Sequence, residues 1–341
     1  MVSRLHVLAG EKQLPLLLKS KIGMGNFINL IFSAIFLFLI GCSYHSNSYQ
    51  VLQGPVKTGF VDIENGQLFY QIVGKGDPII VIHGGPGLDQ GYLLPGMSAL
   101  CKNHQVVFYD QLGSGLSTIN VIDEKHINID LFVEDIETLR KTLGFEKITI
   151  IGHSWGGMLA MRYAIKYTNH TKKLVLMNTL PATSSGIHDF IEAVERKIEP
   201  SFKEIEKIQA SQAFIDNDAK AIEDYYRIFF KHYLHNPSDL EKLNTRLNAK
   251  GAGTGKEIAK ILEPSIFTKF VDLTDNLKKL KIPTLILHAE SDALPLSSAK
   301  EIADAIKGSK LVIQKECGHF PYIEKPKEWL DIVEDFLCKH S

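Results

Sequence analysis

Short runs of β-branched and other apolar residues recur at 79–82, 105–109, 147–151, 173–177, 284–287 and 310–313, bounded by turn residues and mostly separated by helical periodicity. Runs this brief and this continuously apolar suit strands buried on both faces, as in parallel sheets covered by their crossover helices. Ahead of them, 60–63 and 68–73 alternate around Asn65-Gly66, a strong hairpin turn signal, so the sheet opens antiparallel. The pattern predicts an α/β fold of eight strands, mostly parallel, with flanking helices near 130–143, 157–167, 297–306 and 327–338.

Periodicity changes between residues 183 and 269, where the chain is strand-poor and helical patterns run over 190–198, 201–209 and 219–233. We read this stretch as a helical cap inserted between two parts of one core, 58–182 and 270–341. Within it Gly251-Ala-Gly-Thr-Gly255-Lys256 is expected to be a flexible connector, because no strand precedes it and the spacing of a phosphate loop is absent. With 45% hydrophobic and 23% charged residues, the 341-residue chain can bury enough apolar surface to offset the entropy of ordering it. Its 38 basic and 39 acidic residues supply no cationic excess for a phosphate backbone, which argues against a nucleic-acid partner.

The first fifty residues are different in kind. Arg4, Lys12, Lys19 and Lys21 precede a stretch without charged residues up to Lys57, and 27–40 is an apolar run of signal-sequence length. Leu39-Ile40-Gly41-Cys42 follows at once and resembles the lipobox of bacterial lipoproteins, which implies cleavage before Cys42 and its lipidation. The expectation is a signal sequence over 1–41 and a polar tether over 42–57, giving an exported enzyme held at the membrane of a bacterial cell envelope. An uncleaved anchor over 22–42 is the alternative, and Met24 is an alternative start. Cys101, Cys317 and Cys338 are then left, with no C-x-x-C spacing and at most one disulfide between them.

Chemistry-bearing residues gather at strand ends. After the strand ending near Ile151 comes Gly152-His153-Ser154-Trp155-Gly156-Gly157 and then a helical run, which is G-x-S-x-G between strand and helix. A serine there needs a base and an acid after later strands, in the order Ser, Asp, His. His288-Ala-Glu-Ser-Asp292 and Gly318-His319 stand in those places, so Asp292 and His319 are the expected partners of Ser154. An acyl-transfer site also needs N–H donors for the oxyanion. The side-chain-poor loop His83-Gly84-Gly85-Pro86-Gly87 and the N–H of Trp155 are placed to supply them. An imidazole base must be neutral, so acid should quench such an activity.

Together with Tyr109-Asp110-Gln111-Leu112-Gly113-Ser114-Gly115-Leu116-Ser117, these motifs resemble the α/β-hydrolases, and more narrowly the proline iminopeptidase and tricorn-interacting-factor group of serine peptidases. The resemblance covers about residues 58–339 and implies an α/β-hydrolase fold, Gly85 as an oxyanion donor, and acidic cap residues that hold a substrate's free amino group. Glu223 is the nearest match to one of those acids; the other, carried by such relatives in an Asn-Glu-Phe context, has no clear counterpart, Glu263 lying near but within Leu-Glu-Pro-Ser. The activity it implies is release of an N-terminal residue, commonly proline, from a small peptide. A carboxylesterase or small amide hydrolase acting on a small acyl substrate, and an inactive lipoprotein used as a binding module, stay open.

Other residues have plainer readings. His232 and His235 lack a third ligand, so no metal and no cofactor is expected. Tyr225, Tyr226, Phe229, Phe230 and Tyr233 can wall an apolar pocket or simply pack a helix. Asp110 reads as turn-stabilising, His83 and His153 as loop supports, and Cys317 as packing. Oligomeric state is not legible.

Overall fold

The computed structural model describes residues 55–339; the expected signal sequence, Cys42 and the tether up to residue 54 lie outside the described residues. Nine strands form one sheet: β1 Val56–Ile63, β2 Gly66–Val73, β3 Pro78–Ile82, β4 Gln105–Tyr109, β5 Thr118–Ile119, β6 Ile148–His153, β7 Thr171–Met177, β8 Thr284–Ala289 and β9 Lys310–Gln314. The order is β1-β2-β4-β3-β6-β7-β8-β9, with the two-residue β5 pairing to β2. Pairs from β4 to β9 are parallel, whereas β2 is antiparallel to β1, β4 and β5. The eight expected strands are all present, but the hairpin turns one residue earlier than expected, through Glu64 and Asn65, with Gly66 already in β2, paired to Ile63 and to Ile119 of β5. The first strand begins at Val56 and so takes in residues 56 and 57 of the expected tether.

Alternation along the strands sends side chains into two apolar layers. Ile80, Val107, Ile150 and Leu174 face one cluster, and Ile79, Val106, Ile151 and Val175 face the other. Helices α1 Ile129–Thr142 and α2 Trp155–Lys166 pack on the first, and Asn128 caps α1 by accepting the Leu131 N–H. Later in the core come α7 Leu296–Ala305 and α8 Pro326–Lys339.

The chain reverses its winding direction between β3 and β6, since β4 lies on one side of this pair and β7 on the other. Loops leaving the carboxyl ends of such a pair diverge and open a crevice there. Register carries the same edge across the sheet: Ile82 pairs with Gly152, Gly152 with Leu176, Met177 with Leu287, and Ala289 with Gln314. Every motif singled out above therefore emerges along one edge.

Between β7 and β8 the chain is helical, with α3 Ser184–Ile198, α4 Phe202–Gln209, α5 Ala219–Tyr233 and α6 Ala249–Glu263. The flexible connector expected over 251–256 is corrected: this segment is the first half of α6. Glycine disfavours a helix interior by about 1 kcal/mol relative to alanine, so tertiary contact has to compensate. It does so because these glycines let α6 touch core backbone. A β-carbon at Gly251 would lie 2.3 Å from the Gly115 nitrogen, and one at Gly255 would lie 2.5 Å from the Gly87 carbonyl oxygen. Asn248 caps the helix, Thr254 Oγ1 donates to the Gly113 carbonyl, and Lys256 Nζ donates to the Phe214 carbonyl at 2.8 Å. Helix α6 thus rests directly on the loops after β3 and β4.

Candidate active site

Ser154 stands between β6 and α2 with φ 57° and ψ −123°, a conformation that costs energy in any residue with a side chain. Its neighbours allow the turn. A β-carbon at Gly152 would lie 2.4 Å from the Gly156 carbonyl oxygen, and one at Gly156 only 2.3 Å from that of Ile82. The Ser154 N–H donates to the Met177 carbonyl at 3.1 Å, and its own carbonyl accepts from the Gly157 N–H at 2.9 Å. The hydroxyl is thereby held at the sheet edge on a fixed backbone.

His319 Nδ1 lies 2.9 and 3.0 Å from the two Asp292 carboxylate oxygens, with His319 3% and Asp292 8% exposed. A carboxylate accepts, so Nδ1 carries the proton and Nε2 is left as the basic nitrogen. Burial opposes ionisation of Asp292, but the facing imidazole, its hydrogen bond, His288 and Asn178 together outweigh that and hold the carboxyl at about 2. Asn178, immediately after β7 and at φ 46°, donates its Nδ2 to Asp292 Oδ2.

The loop carrying His319 is fastened from below and above. The Glu324 carboxylate accepts from the N–H groups of Gly318 at 3.0 Å, Phe320 at 3.1 Å and His235 at 2.8 Å, the last just beyond α5. The His319 N–H donates to the Tyr233 carbonyl at 2.9 Å. A β-carbon at Gly318 would lie 2.3 Å from that same carbonyl oxygen, which explains the glycine.

Gly84 and Gly85 run beside the serine. A β-carbon at Gly84 would lie 3.0 Å from Ser154 Cβ, and Gly85 takes φ +121°. Trp155 is the first residue of α2, so its N–H is among those that helix geometry leaves without an intrahelical acceptor, at the positive end of the helix dipole. Gln111 braces both loops: its Nε2 donates to the His83 carbonyl at 2.7 Å, its N–H to His83 Nε2 at 3.0 Å, and its Oε1 accepts from Trp155 Nε1 at 2.9 Å. Burial holds His83 down at about 4, so this ring is neutral. Asp110 accepts from the N–H groups of Gln90 and Leu116, as its turn-stabilising reading requires.

Ser154, His319, Gly84 and Gly85 line one cavity of about 110 Å³. Its remaining wall is largely aromatic and apolar and includes Phe190 of α3, Tyr225, Tyr226 and Phe229 of α5, and Phe267. The aromatic stripe of α5 does both things open to it, since Tyr225 and Phe229 also pack ring against ring at 5.0 Å. Glu223 is not brought to this cavity. It lines a separate surface cleft with Lys220, Arg227 and Glu241, and accepts from Thr245 Oγ1 at 3.2 Å. Tyr225 and Tyr226 on the same helix line the cavity, so Glu223 is set apart by the cleft it faces and not by its position along the helix. Glu263 does not line the cavity either, but it is 8% exposed and feels the charge of Lys260. Burial pushes it up to about 7, and its charge is felt at Tyr225 in the cavity wall.

Among the described residues no group of three or more His, Cys, Asp or Glu could hold a metal ion. His232 and His235 bond instead to Ser201 and Ser291 respectively. Cys101, Cys317 and Cys338 are not joined to one another by a disulfide, and Cys317 is buried. Gln111, Asn178 and Glu324 were not singled out from the sequence for these contacts; only Asn178, directly after a strand of the active edge, carried a positional signal.

Residues 77–326 match a family model described as alpha/beta hydrolase fold. Over 289 residues, 82% of this chain and 98% of the relative, the chain is 31% identical to a proline iminopeptidase of Heyndrickxia coagulans. It is 30% identical over 280 residues, 79% of this chain and 87% of the relative, to a proline iminopeptidase of Saccharolobus solfataricus. The crystal structure of a proline iminopeptidase from Mycobacterium smegmatis aligns at a TM-score of 0.62 and 22% identity, over 83% of this chain and 98% of that one. On its sheet, its strand-end motifs and these matches, the chain belongs to the α/β-hydrolase fold family and is a hydrolase similar to the proline iminopeptidases.

Proposed function

We propose that the enzyme releases an N-terminal residue, proline foremost, from small peptides through an acyl-enzyme on Ser154. The observation that carries this is the His319–Asp292 pair, with Nδ1 2.9 Å from the carboxylate, opening onto the same cavity as the strained serine. His319 Nε2 takes the Ser154 proton as Oγ attacks the carbonyl carbon, and Asp292 stabilises the imidazolium that forms. The N–H groups of Gly85 and Trp155 receive the oxyanion, and His319 then protonates the leaving amine and activates the water that deacylates the serine.

Cavity size favours a single residue. About 110 Å³ is below the roughly 300–1,000 Å³ of sites for drug-sized ligands and suits a group the size of a pyrrolidine ring. Aromatic faces such as those of Tyr225 and Tyr226 attract a cationic amine. Glu263, rather than Glu223, is the carboxylate we assign to that amine, because it is buried and its charge reaches Tyr225 in the cavity wall.

A pH dependence follows. With Glu263 raised to about 7, the carboxyl loses its charge as pH falls below that value and can no longer pair with an ammonium. KM for a free-amine prolyl arylamide should therefore rise about tenfold from pH 8 to pH 6, with no matching rise for a neutral aryl ester. Glu263→Gln should remove the difference between the two pH values. Equal pH profiles of KM for both substrates would discard the assignment.

An esterase or small amide hydrolase is the second reading, favoured by one observation: the residues lining the cavity include no carboxylate. For location, we propose that a lipid on Cys42 anchors the enzyme at the cell envelope, supported by the apolar run and lipobox-like residues before it. Cys42→Ser should leave the protein unlipidated by mass spectrometry; an unchanged lipid-bearing N-terminus would contradict this.

A further inference from the structure

Three buried hydrogen bonds run in line beneath Ser154. The Gly84 N–H donates to Tyr92 Oη at 2.6 Å, Tyr92 Oη lies 2.7 Å from His153 Nδ1, and His153 Nε2 lies 2.8 Å from the main-chain carbonyl of His319. The two ends decide the direction, because a peptide N–H can only donate and a carbonyl can only accept. Tyr92 therefore receives the Gly84 proton and gives its own to His153 Nδ1, while His153 donates from Nε2. With a neutral imidazole only the Nε2–H form makes all three bonds; a doubly protonated ring would donate from both nitrogens and leave the Tyr92 hydroxyl hydrogen without an acceptor in this line.

The surroundings support that form. Tyr92 is 3% and His153 1% exposed. Burial first, and then the neighbouring His319, push His153 well below an ordinary histidine, and burial likewise pushes the Tyr92 hydroxyl up. Both groups stay uncharged across the working range of an enzyme. Their rings are also packed: Tyr92 and His153 centroids are 5.6 Å apart, and those of His153 and His319 are 4.6 Å apart.

We propose that Tyr92 and His153 are positioning residues that hold the oxyanion-binding loop and the base-bearing loop at a fixed separation on either side of Ser154. The inference rests on the serine mechanism above. It answers a structural need. The two loops leave β3 and β9, which have β6, β7 and β8 between them, so no ladder bond sets one against the other. Yet the donors must lie about 2.7–3.1 Å from the developing oxyanion while the imidazole stays within reach of Oγ, and a misplacement of about 1 Å can cost on the order of 10²-fold. A line of three bonds, passing through the residue that precedes the nucleophile, sets that distance directly.

Steady-state kinetics on the purified full-length enzyme test this, with rates normalised to sites titrated by a fluorophosphonate. Tyr92→Phe keeps the ring and removes only the hydroxyl. We expect kcat to fall at least about tenfold, with KM within about twofold of the parent. His153→Leu should behave alike, and His153→Gln, whose amide supplies one acceptor and one donor, should recover to within about threefold of the parent kcat. A parental kcat in Tyr92→Phe, a loss carried by KM, or a His153→Gln variant no better than His153→Leu would overturn the proposal. Nitrogen-15 NMR of the parent enzyme gives an answer independent of any variant's folding. His153 should show the neutral Nε2–H tautomer, and an Nδ1–H or doubly protonated ring at neutral pH would overturn it as well. If Ser154→Ala kept the parental rate, the serine mechanism would fall; if that variant were dead while Tyr92→Phe was unimpaired, the positioning role alone would fall.

Discussion

Ser154→Ala should turn over substrate at no more than about 10⁻⁴ of the parent rate, with KM measurable and thermal stability unchanged or slightly raised. The size of the effect follows from what remains. Without Oγ there is no acyl-enzyme, and His319 can only assist a water that has to find its own way into the cavity. Oxyanion donors and substrate positioning survive, so a residue of catalysis over water, roughly 10³-fold in related triads, is retained. Stability should not suffer, because Ser154 holds φ 57°, and replacing it deletes a hydroxyl without altering the flanking glycines that permit the turn. Rate measurement beside a melting curve separates the two effects. Turnover within tenfold of the parent would remove the serine from the mechanism.

Asp292→Asn is expected to cost about 10⁴ in kcat, nearly as much, although this side chain never touches substrate. Asp292 fixes which nitrogen of His319 is basic. An amide in its place can offer an N–H to Nδ1, driving the proton to Nε2, where it blocks general-base action. Asn178 compounds the problem: its Nδ2 now donates to Asp292 Oδ2, and against an amide rotated to accept it, the other arm presented to His319 is a donor. There is a stability counterpart with a definite sign. The Asp292 carboxyl is held at about 2, below the ordinary value near 4 that it regains on unfolding. Its ionic contribution is therefore fully present above about pH 4 and is lost as pH falls toward 2. The gap in stability between the parent and Asp292→Asn should narrow across that window.

Why some of this was readable in the sequence and some was not has a physical explanation. The six parallel strands announce themselves because each is buried on both faces and hence continuously apolar, and the hairpin because Asn65-Gly66 marks its turn to within one residue. Two-residue β5 has no room for periodicity. Helix α6 escapes a sequence reading because Gly251, Gly253 and Gly255 argue against a helix locally, and only the backbone of Gly115 and Gly87, distant in sequence, makes Gly251 and Gly255 an advantage. The chemistry divides in the same way. Ser154, Asp292 and His319 each stand just past a strand, so topology alone groups them. Tyr92, Asn178 and Glu324 act through partners whose proximity is created by the fold: Tyr92 and His153 are 61 residues apart, and Asn178 and Asp292 are 114 apart. The two acidic candidates show the limit of spacing. Glu223 lies on the helix that walls the cavity but lines a different cleft, whereas Glu263, on a different helix, is buried and its charge is felt at Tyr225.

One comparison tests the central claim most directly: hydrolysis by the purified full-length enzyme, beside Ser154→Ala, of a prolyl arylamide, its N-acetylated form and a short-chain aryl ester. The account predicts that the free-amine prolyl compound is cleaved with the highest kcat/KM, that N-acetylation lowers this at least about tenfold by removing the charge Glu263 would bind, and that the variant cleaves none of the three appreciably. Efficient cleavage of the ester or the N-acetyl compound, with the free-amine prolyl arylamide left intact, would contradict it.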